Sequence, residues 1–189
     1  FGPNKWLTSG GLGTMGYGLP AALGAQAAFP DRQVIDISGD GSFQMNSQEL
    51  ATLVQYRLPV KIVILNNNFL GMVRQWQQLL HGERYSHSYS EALPDFVKLA
   101  EAYGAMGLRA TRPDEVVPVL QEGLAAERTV IISERQGLEN NPTFRLREEM
   151  QVEFALDNGA VHILDGVRVA RSARGSAKRI VVRGLNGFG

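Results

Sequence analysis

Asp40 lies in the run Gly39-Asp40-Gly41-Ser42, and Asn66-Asn67-Asn68 follows 27 positions beyond, counted from Asp40 to Asn67. A carboxylate oxygen and an amide oxygen are hard donors, and together they suit a divalent cation that prefers oxygen ligands. The glycines on either side of Asp40 let the backbone come close to an anion carried by that cation, such as a phosphate. For this chemistry the two runs must meet, and the segments between them say how. Residues 33–37 (Gln-Val-Ile-Asp-Ile) read as a short apolar strand ending at Ser38-Gly39. Asn46-Ser47-Gln48-Glu49 has the pattern of a helix cap, an Asn with Glu three residues on. Residues 60–65 (Val-Lys-Ile-Val-Ile-Leu) form the next strand, rich in β-branched residues, and run straight into the asparagines. Strand, acidic Gly loop, helix, strand and amide loop make a βαβ crossover with both loops at one sheet edge. Turn chemistry explains either loop alone, but not both together with the strand order between them.

The remaining chain bounds the answer. Its 189 residues suffice for one domain with a full core and a small appendage. An apolar content of 44% with 20% charged residues is ordinary for a globular chain. The net charge of zero gives no global pull toward nucleic acid or an anionic membrane. There is no cysteine, which excludes disulfides and thiolate sites. No apolar run approaches membrane-spanning length. The chain opens on Phe1 and reads as a piece of a longer polypeptide.

In chain order, the glycine-rich run of residues 10–16 leads into a small-residue helix over about 17–28. Gly11-x-Gly13-x-x-Gly16 matches the dinucleotide-binding pattern, with Asp36 placed as a ribose-binding acid. That reading needs a buried strand before the glycines, which residues 1–5 do not offer, and Asp36 falls inside its strand. After the asparagines a helix starts at Met72. Two histidines six positions apart, His81 and His87, lie in a polar loop without clustered acids and make poor metal ligands. Pro94-Asp95 opens a helix through 102, with Pro in its first turn. Residues 104–110 give a strand, 111–126 a helix and 130–132 the closing strand. The fold expected is α/β, an open, mainly parallel, doubly wound sheet over residues 1–132 with a β-rich tail over 133–189.

Gly-Asp-Gly followed by paired Asn at this spacing resembles the thiamine diphosphate enzyme signature. The resemblance implies Mg²⁺ held by Asp40, Asn67 and the backbone carbonyl of Phe69. The diphosphate would lie against Gly39, Gly41, Ser42 and Gly71. It also implies that the Gly13 carbonyl accepts from the cofactor's aminopyrimidine, and that Met15 wedges between the two rings and bends them. The bend presses the amino group against the carbon it must deprotonate. As a plain packer, Met15 would instead fill core.

The run Gly71-Met72-Val73-Arg74-Gln75-Trp76-Gln77 narrows the resemblance to the acetohydroxyacid synthase (acetolactate synthase) catalytic subunit. Met72 and Trp76 would then line the substrate channel, Met72 also touching cofactor, and Trp76 would favour 2-ketobutyrate over pyruvate as second substrate. By periodicity alone the pair is an ordinary apolar stripe. The resemblance implies decarboxylation of pyruvate and carboligation to a second 2-keto acid. It further implies a homodimer or tetramer, an activating glutamate from a separate pyrimidine-binding domain, and FAD on another domain, neither of which has a matching motif here. A regulatory small subunit, and a cytoplasmic or (in a plant) plastid location, complete the expectation. On this reading the 189 residues alone bind cofactor weakly and turn over little.

The resemblance stops near Ser133. Residues 154–163 suggest a hairpin turning at Asn158-Gly159, and 180–182 a further strand. Residues 168–183 carry six basic groups and no acid, but lack the aromatics of a nucleic-acid surface. Three alternatives stay open: another thiamine diphosphate-dependent decarboxylase or carboligase, a nicotinamide dehydrogenase, and a catalytically incomplete cofactor-binding fragment.

Overall fold

A computed structural model describes residues 5–135 and the strand segments 153–155, 161–165, 168–170 and 179–183. Elements follow in the order β1 (Trp6–Leu7), α1 (Gly18–Ala28), β2 (Val34–Gly39), α2 (Asp40–Met45), α3 (Glu49–Gln55), β3 (Lys61–Asn66) and α4 (Gly71–Leu80). After these come α5 (Phe96–Tyr103), β4 (Met106–Ala110), α6 (Pro113–Ala125) and β5 (Val130–Arg135). The last four strands are β6 (Glu153–Ala155), β7 (Val161–Asp165), β8 (Arg168–Ala170) and β9 (Arg179–Arg183).

Six strands form a parallel sheet in the order β1-β7-β2-β3-β5-β4. Its central strands are buried on both faces, as parallel sheets require, so they read as continuous apolar runs rather than alternations. The period of two still sorts their side chains. Ile62 and Ile64 join Leu19, Phe43, Leu50, Leu53 and Phe96 on the face covered by α1, α2, α3 and α5. Val63 and Leu65 join Ile35, Ile37, Val116 and Leu120 on the face covered by α6. Each such side chain contributes roughly 1.5–3 kcal/mol by leaving water. This two-sided core makes the sheet stiff where the functional loops leave it.

Several expectations shift in detail. The acidic Gly loop is shorter than its sequence suggests, because α2 begins at Asp40 itself with Gly39 as its N-cap. Asn46 does not cap α3. It closes α2, Gln48 occupies the α3 cap position, and the Asn46 amide is committed elsewhere. The helix after the asparagines starts at Gly71, one residue early. Pro94 precedes rather than opens α5, whose cap is Asp95, accepting from the N–H groups of Val97 and Lys98. The strand at 130–135 is interior, lying between β3 and β4 rather than closing the sheet. The strands at 153–155 and 161–165 are not partners in a hairpin. The first belongs to a separate antiparallel sheet β6-β9-β8, and the second pairs with β1 and β2. The turn at Asn158-Gly159 lies outside the described residues.

Candidate functional site

Strands β2 and β3 are adjacent and parallel, with Gly39 opposite Leu65, so Asp40 and Asn66 leave the sheet side by side at one edge. Asp40 stands in the first turn of α2 and is only 2% exposed. Its Oδ2 accepts the backbone N–H of Asn68 at 2.9 Å, and the same N–H also reaches Oδ1 of Asn66 at 3.3 Å. The acidic and amide runs therefore touch. The Asn67 Oδ1 accepts from the Phe69 N–H at 2.8 Å, turning the chain, and Asn68 takes up φ +62°, a left-handed conformation Asn tolerates. Burial pushes the Asp40 carboxyl up to about 6, against the pull of backbone N–H groups at Gly41, Asn68, Asp40 and Asn67. A buried carboxylate held this way gains from a cation.

The asparagine loop is fastened from outside by residues 86–90, which overlap the end of the polar, aromatic loop read at 81–87 and extend past it. The Ser90 N–H donates to the Asn68 carbonyl at 2.8 Å and the Leu70 N–H to the Ser88 carbonyl at 2.9 Å, framing a bridge between Phe69 and Tyr89. The Phe69 and Tyr89 rings lie 4.9 Å apart. The Arg74 guanidinium lies over Phe69 at 4.1 Å and over Tyr85 at 4.7 Å. Gln77 accepts from the Ser88 hydroxyl at 2.7 Å and donates to the Ser86 carbonyl at 2.7 Å.

The glycine-rich turn meets the same edge. The Gly13 N–H donates to the Ser9 carbonyl at 2.8 Å with φ +65° at Gly13, and Gly16 has φ +80°. A Cβ built on Gly41 would lie 2.8 Å from Leu70 Cδ2 and 3.4 Å from Met15 Cε, so Met15 and Leu70 converge over the start of α2. Gly13 and Gly39 instead face open space: a Cβ on either meets nothing within 4 Å. Ser42 receives the Gly16 N–H on its hydroxyl at 2.9 Å.

Helix α4 begins at Gly71 and buries none of its residues. Met72 and Trp76 are 52% and 47% exposed and share one face, where with Val73, Gln77, His81 and Arg84 they line a groove of about 600 Å³. The structure thus draws Asp40, Asn67, Phe69, Gly41, Met15 and Leu70 around one sheet edge, with Met72 and Trp76 on the next helix along. The dinucleotide alternative loses its acid. Asp36 is fully buried in mid-β2, its Oδ1 accepting from the Ser38 hydroxyl at 2.7 Å, where no ribose can reach it. Among the described residues no group of three His, Cys, Asp or Glu side chains could hold a metal ion. A cation at this edge would depend on one carboxylate supplemented by amide and carbonyl oxygens. No helix among the described residues is long and apolar enough to cross a membrane.

The chain is similar in sequence and fold to known proteins. Residues 1–133 match the family described as thiamine pyrophosphate enzyme, C-terminal TPP binding domain. The chain is 55% identical over 126 residues to the acetolactate synthase isozyme 3 large subunit of Escherichia coli K12, covering 67% of this chain and 22% of that protein. It is 62% identical over 117 residues to the acetolactate synthase large subunit of Pyropia yezoensis, covering 61% and 20%. Among solved structures, the thiamine diphosphate-dependent 4-hydroxybenzoylformate decarboxylase of Rhodococcus jostii RHA1 superposes with a TM-score of 0.62 at 37% identity, over 67% of this chain and 24% of that one. The chain spans about a fifth of the length of the relatives it matches.

Proposed function

This chain belongs to the thiamine pyrophosphate enzymes, as their C-terminal TPP-binding domain, and from that premise we propose that it holds the Mg²⁺-diphosphate end of thiamine diphosphate in an acetolactate synthase. Thiamine diphosphate, when bound, supplies an electron sink for decarboxylation of a 2-keto acid. The residues here bind and orient. Asp40, Asn67 and the Phe69 carbonyl offer the all-oxygen donor set that Mg²⁺ prefers. The open approaches at Gly13 and Gly39 leave room for a ligand beside them. Met15 leans over Gly41 and is assigned the wedge between the rings. Met72 and Trp76 shape an apolar wall beside the groove on α4, suited to pyruvate and 2-ketobutyrate.

The observation that carries the reading is the 2.9 Å bond from the Asn68 N–H to Asp40, which joins two runs far apart in sequence at one point. The choice of acetolactate synthase over other carboligases and decarboxylases is supported by identities of 51–62% to acetolactate synthase large subunits, against 37% for the decarboxylase structure. The resemblance assigns FAD, an activating glutamate, a homodimer and a regulatory small subunit to the whole protein. The test is calorimetric titration with thiamine diphosphate, with and without Mg²⁺. Binding that requires Mg²⁺ is expected. Equal binding in a chelator, or tighter binding of NAD, defeats the reading.

A further inference from the structure

The Gly16 peptide is gripped on both sides by one short helix. Its N–H donates to the Ser42 hydroxyl at 2.9 Å, and its carbonyl accepts from the Asn46 amide at 2.6 Å. Ser42 and Asn46 are four positions apart on α2 and its C-cap, the spacing that places two side chains on one helical face. The fit at this point is close. A Cβ at Gly16 would lie 2.7 Å from the Asn46 amide nitrogen and 3.0 Å from Met45 Cβ, and φ +80° already demands glycine. Residues 10–15 of the same turn are exposed, Leu12 by 97%.

We propose that Ser42 and Asn46 are positioning residues that bolt the Gly16 peptide to α2 and thereby set the spacing between the Met15 turn and the Asp40 end of the site. The inference rests on the cofactor reading above. A ligand with a diphosphate at one end and two rings at the other must span from Asp40 to that turn. α2 carries Asp40 in its first turn, Ser42 within it and Asn46 at its C-cap, so a single short element fixes both ends of the span. A turn held before the ligand arrives spares the cost of ordering it on binding.

The test compares two ligands on the full chain in Mg²⁺, thiamine diphosphate and inorganic diphosphate, by calorimetry. Asn46→Asp keeps the shape but sets a carboxylate against the Gly16 carbonyl, and Asn46→Ala removes the donor altogether. Thermal melts followed by circular dichroism report whether each folds, and if one fails the other decides. Each variant is expected to keep its affinity for inorganic diphosphate within about twofold and to lose about tenfold or more for thiamine diphosphate, the size of one broken buried hydrogen bond. Parallel losses for both ligands would show a disturbed metal end instead and overturn the proposal, as would no loss for either. If the unaltered chain does not distinguish the two ligands, the cofactor reading fails and takes the bolt with it.

Discussion

Replacing Asp40 with Asn should make the metal-free chain more stable while destroying its metal site. The Asp40 carboxyl is 2% exposed and burial raises it from 3.8 to about 6. At ~1.4 kcal/mol for each unit, keeping this group ionised at pH 7 costs the fold about 3 kcal/mol. An Asn of the same shape carries no charge to desolvate. It must, however, turn an NH₂ toward one of the backbone N–H groups that now point at the carboxylate, a loss of roughly 1–2 kcal/mol. The expected net gain for Asp40→Asn is therefore about 1–2 kcal/mol at pH 7. The sign of the pH dependence follows from the raised value. The folded chain holds the proton more tightly than the unfolded one, so this group's contribution is fully present below about pH 4. It is lost as pH rises through about 6. The assay is urea denaturation in EDTA at a series of pH values from 4 to 7, for both chains. The unaltered chain should lose stability across that interval relative to Asp40→Asn. Adding Mg²⁺ with thiamine diphosphate at ~100 times Kd should then restore about 2.7 kcal/mol to the unaltered chain and nothing to the variant. Parallel pH curves, or a variant less stable at pH 7, would refute the reasoning.

Four further outcomes follow from particular contacts. Lys61 is buried at the start of β3, donating to the carbonyls of Ala126 and Arg128, and burial lowers it from 10.5 to about 8. Because the unfolded chain binds this proton more tightly, stability should rise between about pH 8 and 10.5, and Lys61→Met should flatten that rise in urea melts. Gly41→Ala should be tolerated within about 1 kcal/mol, since its Cβ meets only the flexible tips of Leu70 and Met15. Gly107→Ala, whose Cβ would fall 2.7 Å from the Val97 carbonyl oxygen, should cost roughly 1–3 kcal/mol in the same melts. Arg74→Ala removes two cation–π contacts, with Phe69 and Tyr85, and should lower stability by about 1–2 kcal/mol and quicken proteolysis within residues 81–87. An unchanged cleavage rate would show that Arg74 does not hold that loop.

The chemistry at the sheet edge was written in residue types. Gly-Asp-Gly and the triple Asn, separated by a helix and an apolar strand, determine a βαβ unit that puts carboxylate and amide together, because a parallel crossover returns the chain to the same edge. The apolar strands read at 33–37 and 60–65 were legible because burial on both faces of a parallel sheet favours near-continuous apolar runs, and they fall in Val34–Gly39 and Lys61–Asn66. What tertiary structure decided lies in polar groups whose partners are remote. Asn46 reads as a helix cap by local pattern, yet its amide goes to Gly16, 30 residues earlier, because docking of the glycine turn on α2 presents a stronger claim than a cap exposed to water. Residues 86–90 look like an unremarkable polar loop, yet they pair with the asparagine loop through backbone groups that no side-chain pattern records. Strand order is likewise set by packing, and β5 slots between β3 and β4 although it follows both in sequence. Local sequence specifies periodicity and turn type, but the choice among distant hydrogen-bond partners is made only when the sheet and its helices close around them.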